Sequence, residues 1–158
     1  MALDPTARES NVKDSIKKFF IETFETGYSI PLLFDVGLAT PNLQNMTVRR
    51  WMTISVGISA LDNMSEAELR LFLCTRTDPE GFVLAQLRDT VMGELTNTTE
   101  TDGLKRISLY RSKEVGAWDL IGSLLVMQPI FESPRSIVAP DETKYKTLTC
   151  RLRWGTKI

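Results

Sequence analysis

The sequence predicts an α+β fold: a mixed or mainly antiparallel sheet of about five to six strands with two helices packed on one face, in the order α-β-β-β-α-β-β-β. Three observations predict it. Residues 50–58 and 144–154 alternate apolar and polar side chains, the period of a strand with one buried face. Two segments, one near the N-terminus and one in the middle, carry apolar residues at spacings of three and four, the stripe of an amphipathic helix. No run approaches the roughly 18 apolar residues of a membrane-spanning helix.

The elements follow in order. Asp4-Pro5 is a cap followed by a first-turn proline. Val12, Ile16, Phe19, Phe20 and Phe24 then form one stripe on a helix of about 20 residues, with Gly27 as its stop. Ile30–Val36 is a short apolar strand, placed at an edge because Pro31 cannot donate to a ladder. A polar loop with Pro41, Asn42 and Asn45 leads to a strand from Arg50. There Met52, Ile54, Val56 and Ile58 share one face, and Trp51, Thr53, Ser55 and Gly57 the other. Residues 65–76 start like a helix, Ser-Glu-Ala-Glu, but the alternation through Leu69, Leu71 and Leu73 favours a strand.

Asp78-Pro79-Glu80 predicts a capped helix over 79–95, with Leu84, Leu87, Val91 and Leu95 inward and Gly81 weakening its first turn. The polar run 96–103 is a loop. Three strands follow: one through Ile107 and Leu109, a longer one from Trp118 to Phe131, and a last one from Lys144 to Trp154. In the last, Leu148, Cys150, Leu152 and Trp154 point inward, and Thr147, Thr149, Arg151 and Arg153 outward. The connection 132–143 is long for a hairpin. No composition shift divides the chain, so residues 1–158 read as one α+β domain.

Composition narrows the function classes. The chain has 158 residues, 42% of them hydrophobic and 25% charged, which is ordinary globular usage. Net charge is −1, so no bulk basicity points to nucleic acid. There is no histidine, the side chain most used for acid–base work near neutral pH. The 2 cysteines, Cys74 and Cys150, each sit in a strand and read as small buried hydrophobes rather than a disulfide. Residues 1–30 contain no apolar signal core, and the expectation is a soluble, non-secreted protein.

No residue set spells out a reaction. Asp35, Asp119 and the pair Asp141-Glu142 are the candidates for a divalent-cation site or an acid–base pair, but they lack D-x-D or EF-hand spacing and read more simply as turn formers and surface carboxylates. No Gly-x-Ser-x-Gly elbow or phosphate-binding glycine loop occurs. The expectation is therefore a protein with no catalytic residues, cofactor or metal. The basic residues are more suggestive. Arg49 and Arg50 precede Trp51, and Arg151 and Arg153 share a face of the last strand. Lys105 and Arg106 would extend a basic stripe if their strand were adjacent. A solvated sheet face explains these cations, and so does contact with a partner, since Trp and Arg are enriched at interface hot spots. Trp51, read as outward-facing, favours the partner.

Taken together, the order and local character resemble the tail terminator proteins of long-tailed bacteriophages, including the lambda type. The resemblance lies in the N-terminal helix leading to Ile30-Pro31-Leu32-Leu33-Phe34-Asp35 and in the strand Arg50-Trp51-Met52-Thr53-Ile54-Ser55-Val56. It continues through Thr75-Arg76-Thr77-Asp78-Pro79-Glu80-Gly81 into the central helix, the strands around Trp118 and the final strand Leu148–Trp154. It spans nearly the whole chain without a diagnostic motif. It implies a structural virion protein, assembled in the host cytoplasm, that forms a homo-oligomeric ring, expected to be hexameric. The ring would cap the tail tube, stop its polymerisation and offer a surface to the head-completion or neck protein. DNA would pass through only as cargo, and no membrane would be involved. Candidate contacts are Arg49, Arg50, Trp51, Arg151 and Arg153, with the loops 40–49, 96–103 and 132–143. The alternatives are another head–tail connector ring protein, or a monomeric small-ligand-binding or enzymatic α+β domain with Asp35 and Asp119 as first suspects.

Overall fold

The computed structural model describes residues 9–34, 49–60, 64–96, 103–111, 119–134, 137–138 and 143–155. Helix α1 runs Glu9–Phe20 and continues as a π-helical segment, Ile21–Thr26. The predicted Asp4-Pro5 cap lies outside the described residues. The π winding has a cause in the spacing. Val12, Ile16, Phe20 and Phe24 are all fully buried and all four residues apart. At 3.6 residues per turn each such step overshoots a full turn by about 40°. Widening the last turns brings Phe24 back over the face that holds Phe20, and the two rings sit 5.2 Å apart. Gly27, expected to stop the helix, instead keeps right-handed helical angles. The chain turns out at Ser29 (φ 56°), after which the Ile30 amide donates back to Phe24 O at 3.0 Å. A left-handed residue thus ends the helix, as glycine commonly does.

The strands are β1 Leu32–Phe34, β2 Arg50–Ala60, β3 Met64–Thr75, β4 Lys105–Arg111, β5 Asp119–Val126, β6 Phe131–Glu132, β7 Ile137–Val138 and β8 Lys144–Gly155. Their order is β1-β2-β3-β8-β5-β4, with β6 and β7 also pairing β8. Only β1 and β2 are parallel; every other described pairing is antiparallel. The α+β class holds, with more strands than the sequence predicts. The ambiguous segment 65–76 is a strand, β3, with Ala67, Leu69, Leu71 and Leu73 buried and Glu68 and Arg70 exposed. β1 lies at the sheet edge, and Pro31 contributes only its carbonyl, which accepts from the Met52 amide at 3.0 Å.

The predicted strand 118–131 is broken in two. After Val126 pairs Leu152 and the Met127 amide donates to Arg151 O at 2.9 Å, residues Gln128–Ile130, containing the cis peptide Gln128-Pro129, swing away from β8, and pairing resumes at Phe131 with Thr149. Four residues between these two pairs face two of β8, so the segment bulges. Part of the expected loop 132–143 is β7, which pairs Tyr145 and Lys144.

Helix α2 spans Phe82–Thr96, and its stripe of Leu84, Leu87, Val91 and Leu95 is buried as expected. Its start differs. Asp78, Pro79 and Glu80 form a turn closed by the Gly81 amide on Asp78 O at 3.2 Å, and Gly81 takes φ +72°, a conformation favouring glycine. Gly81 O then accepts from the Ala85 amide at 3.0 Å, which makes Gly81 the capping residue rather than a flaw in the first turn. Asp78 still caps from a distance: Oδ1 accepts from the Val83 amide at 3.2 Å and Oδ2 from the Leu84 amide at 3.0 Å.

Both helices bury into one core with Met52, Ile54, Val56, Leu69, Leu71, Leu73, Leu148, Cys150, Leu152 and Trp154, so they cover the same sheet face. The sheet curls, because α1 reaches strands near its two ends, β4 and β2. Ser15 fixes α1 to β4, its Oγ accepting from the Tyr110 amide at 2.8 Å beside the register shift at Leu109/Tyr110.

Helix α2 is clamped to β6. Arg88 Nε and Nη2 donate to Glu132 Oε2 and Oε1 at 2.9 and 3.0 Å, and Lys146 Nζ lies 3.5 Å from Oε2. The Arg88 bonds hold the Glu132 carboxyl below its usual range, against a smaller opposing effect of burial. This contribution is present above the unfolded carboxylate pKa and fades as pH falls through the lowered folded value. Glu132→Gln is expected to cost about 1 kcal/mol locally. The readout is hydrogen exchange of the Ser133 amide, which bonds Thr147 O at 3.0 Å. It should speed up roughly fivefold at pH 7 while exchange in β3 stays unchanged.

Candidate functional site

The five residues singled out by sequence do not form one site. Trp51 pairs Cys74, which pairs Tyr145, at one end of the sheet; Arg153 pairs Glu66 towards the other. Between Tyr145 and Arg151 on β8 lie roughly 20 Å of strand. Arg49 is exposed, and Arg50 is half-buried with Nη2 donating to Tyr28 O at 3.0 Å. Trp51 is fully buried, which overturns its reading as an outward contact. The Arg76 guanidinium lies over its ring, 5.0 Å from the centroid. On the same face Phe72 and Tyr145 set their rings 6.0 Å apart. This end of the outer face is an aromatic cluster, separate from the main core.

The other half of the outer face is polar. Across β2, β3 and β8 it presents Ser55 and Gly57, then Arg70, Glu68 and Glu66, then Thr149, Arg151 and Arg153. A Cβ added at Gly57 would meet nothing within 4 Å, so the face is open there. The basic stripe drawn from the sequence is not continuous. β5 lies between β8 and β4, so Leu125 separates Arg153 from Arg106. Lys105 turns towards α1, its Nζ 5.8 Å from the Phe19 ring centroid. Register also sets glutamates against the arginines. Arg153 Nε is 3.2 Å from Glu66 Oε1, and Glu68 bonds Arg70 Nη2 at 2.8 Å. The Arg153 Nε–H is poorly aligned with Glu66 and makes no hydrogen bond among the described residues. Arg151 is exposed and has no ion pair among them.

The bulge after β5 turns this corner into a pocket of about 190 Å³. Arg151 and Arg153 form its floor, Glu66 one wall, and Met127, Gln128, Pro129 and Phe131 the other. Sequence reasoning missed the wall, although a proline inside a predicted strand is the signal that marks such a break. A shallower depression of about 330 Å³ lies alongside, over Ser55, Gly57, Ser59, Glu68 and Arg70.

Other candidates are quieter. Asp35, Asp141, Glu142 and Trp118 lie outside the described residues, as do 40–48 and 97–102 of the predicted contact loops. Asp119 stands at the start of β5 in register with Arg111. Among the described residues no three of Cys, Asp and Glu converge as a metal site would require. Cys74 and Cys150 are buried and not joined in a disulfide, and burial pushes Cys150 up to about 12, leaving it inert. They belong to opposite faces of the sheet: Cys150 joins the main core and Cys74 lies beside Trp51.

The fold is thus an α+β fold whose curled mixed sheet is covered by helices on one side. No family model matches the chain, and no curated protein matches it. One solved structure superposes over 92% of this chain and 97% of its own length with a TM-score of 0.58 at 8% identity, a likeness of fold alone.

Proposed function

We propose that this chain is a structural ring subunit, and specifically a tail terminator that caps the tail tube of a long-tailed bacteriophage. The observation that carries the reading is the division of the sheet. Helices bury one face, while half of the other face is open and polar with exposed Phe131 at its border, and exposed Ile137 and Val138 flank its aromatic end. A ring subunit needs two different surfaces that meet head to tail around a closing rotation. In this reading one copy's outer face and the edges around β6 and β7 meet its neighbours. The ring sits on the last tube ring, blocks further addition and receives the head-completion protein.

Asp78 and Glu132 are both held below their usual range by donors that tie one element of the fold to another, a structural use of a carboxylate.

The test is electron microscopy of the purified protein mixed with tail tubes from its own phage or prophage, with tube lengths measured during polymerisation. Density at one tube end and arrested growth are expected. Tubes that grow on unaffected, with no end density at saturating protein, would overturn the reading.

A further inference from the structure

The geometry points to the pocket at the β5–β6 bulge as an anchoring site for a carboxylate side chain flanked by an apolar residue, presented by an acidic peptide segment of a partner protein. The inference deepens the ring reading, from which it takes its expectation of a protein partner.

Three observations carry it. First is the charge balance: two guanidiniums, Arg151 and Arg153, meet one carboxylate, Glu66, inside the pocket, leaving it one positive charge in excess. Second is unused donor capacity. Arg151 is exposed with no ion pair among the described residues, whereas the Arg153 Nε is buried against Glu66, 3.2 Å from Oε1. An arriving carboxylate can accept from the Arg151 fork, and charge-assisted bonds to guanidinium are the strong ones. Third is the wall. Met127, Pro129 and Phe131 offer an apolar surface beside the charge, and Phe131 remains 61% exposed. At about 190 Å³ the space suits one or two amino-acid side chains rather than a cofactor.

The bulge is what makes the site. Had β5 continued in register, residues beyond Val126 would lie flat beside β8 and no wall would stand over Arg151. At the aromatic end of the outer face Arg76 instead covers Trp51.

The test uses the full chain, labelled with ¹⁵N, and two short blocked peptides, acetyl-Leu-Glu-Leu-amide and its Leu-Gln-Leu counterpart, with inorganic phosphate as a third titrant. The glutamate peptide is expected to shift the amides of Met127, Gln128, Phe131, Arg151 and Arg153 at millimolar concentration, and the glutamine peptide to bind at least tenfold more weakly. Arg151→Gln, an exposed change that should leave other resonances in place, is expected to weaken binding about tenfold, and raised salt to weaken it further. Phe131→Ala should weaken the glutamate peptide several-fold. Equal binding of both peptides, or phosphate shifting these residues while the glutamate peptide does not, would overturn the assignment. Tube capping is scored separately. A protein that caps tubes but ignores the glutamate peptide loses this inference and keeps the ring reading. One that binds the peptide but ignores tubes keeps the pocket and loses the ring.

Discussion

Replacing Trp51 by alanine is expected to destabilise the isolated subunit by about 3–5 kcal/mol, with a fall in Tm on the order of 10 °C. The indole is fully buried and stacked beneath the Arg76 guanidinium, 5.0 Å from the ring. Removing it deletes a large apolar side chain, leaves a void and strips the cation of its aromatic partner, an effect worth about 0.5–2 kcal/mol within the total. Thermal unfolding of the free protein is the measurement. A side chain serving only as a partner contact would leave Tm unchanged and impair assembly alone. Unchanged Tm would therefore restore the reading that the sequence suggested and the structure overturns.

The second large effect is at Asp78. Burial by itself would raise its carboxyl pKa, but bonds from the Leu84 and Val83 amides and the Thr75 hydroxyl, with nearby Lys144, outweigh that and lower it. Asp78→Ala is expected to cost about 2–4 kcal/mol, combining a lost helix cap with the buried Leu84 amide and the part-buried Val83 amide left unpaired. The pH dependence has a definite direction. Because the folded pKa is depressed, the stabilisation is fully present above the unfolded aspartate value and is lost as pH falls through the folded value. Wild-type stability should accordingly decline below about pH 4. Asp78→Asn should be less stable at pH 7 and lack that share of the acid decline. Chemical denaturation at pH 7 and pH 3 measures both. An Asn variant losing stability in parallel with wild type would show that Asp78 is not the group responsible.

Much of the fold was legible because its signals were local. β8 announces itself in the alternation of Leu148, Cys150, Leu152 and Trp154, each buried, with exposed or half-buried neighbours. The same alternation resolved β3 against its helix-like opening, because Leu69, Leu71 and Leu73 can share a face only in a strand. Most of the misreadings depended on things beyond local pattern. Trp51 does occupy the face opposite the helices, but that face is not uniformly wet, and an aromatic cluster from β3 and β8 lies beside it. The arginines of β8 looked like a basic stripe until register placed Glu66 and Glu68 across from them. Gly81 looked like a weakness because its left-handed angle, which makes the turn before α2 possible, is invisible in composition. The break after Val126 is the instructive case. A single proline in a predicted strand carried the signal, and the pocket follows from it.

The π-helical segment has a bearing on how such a chain can vary in length. Each π turn stores about one residue more than an α turn. Residues 21–26 therefore hold slack between an anchored upstream helix and an anchored β1. A natural variant one residue shorter there can rewind the segment as α-helix and still deliver the chain to the sheet edge. Indels among distant relatives should gather at this segment rather than inside α1, where a missing residue would rotate Val12 and Ile16 out of the core.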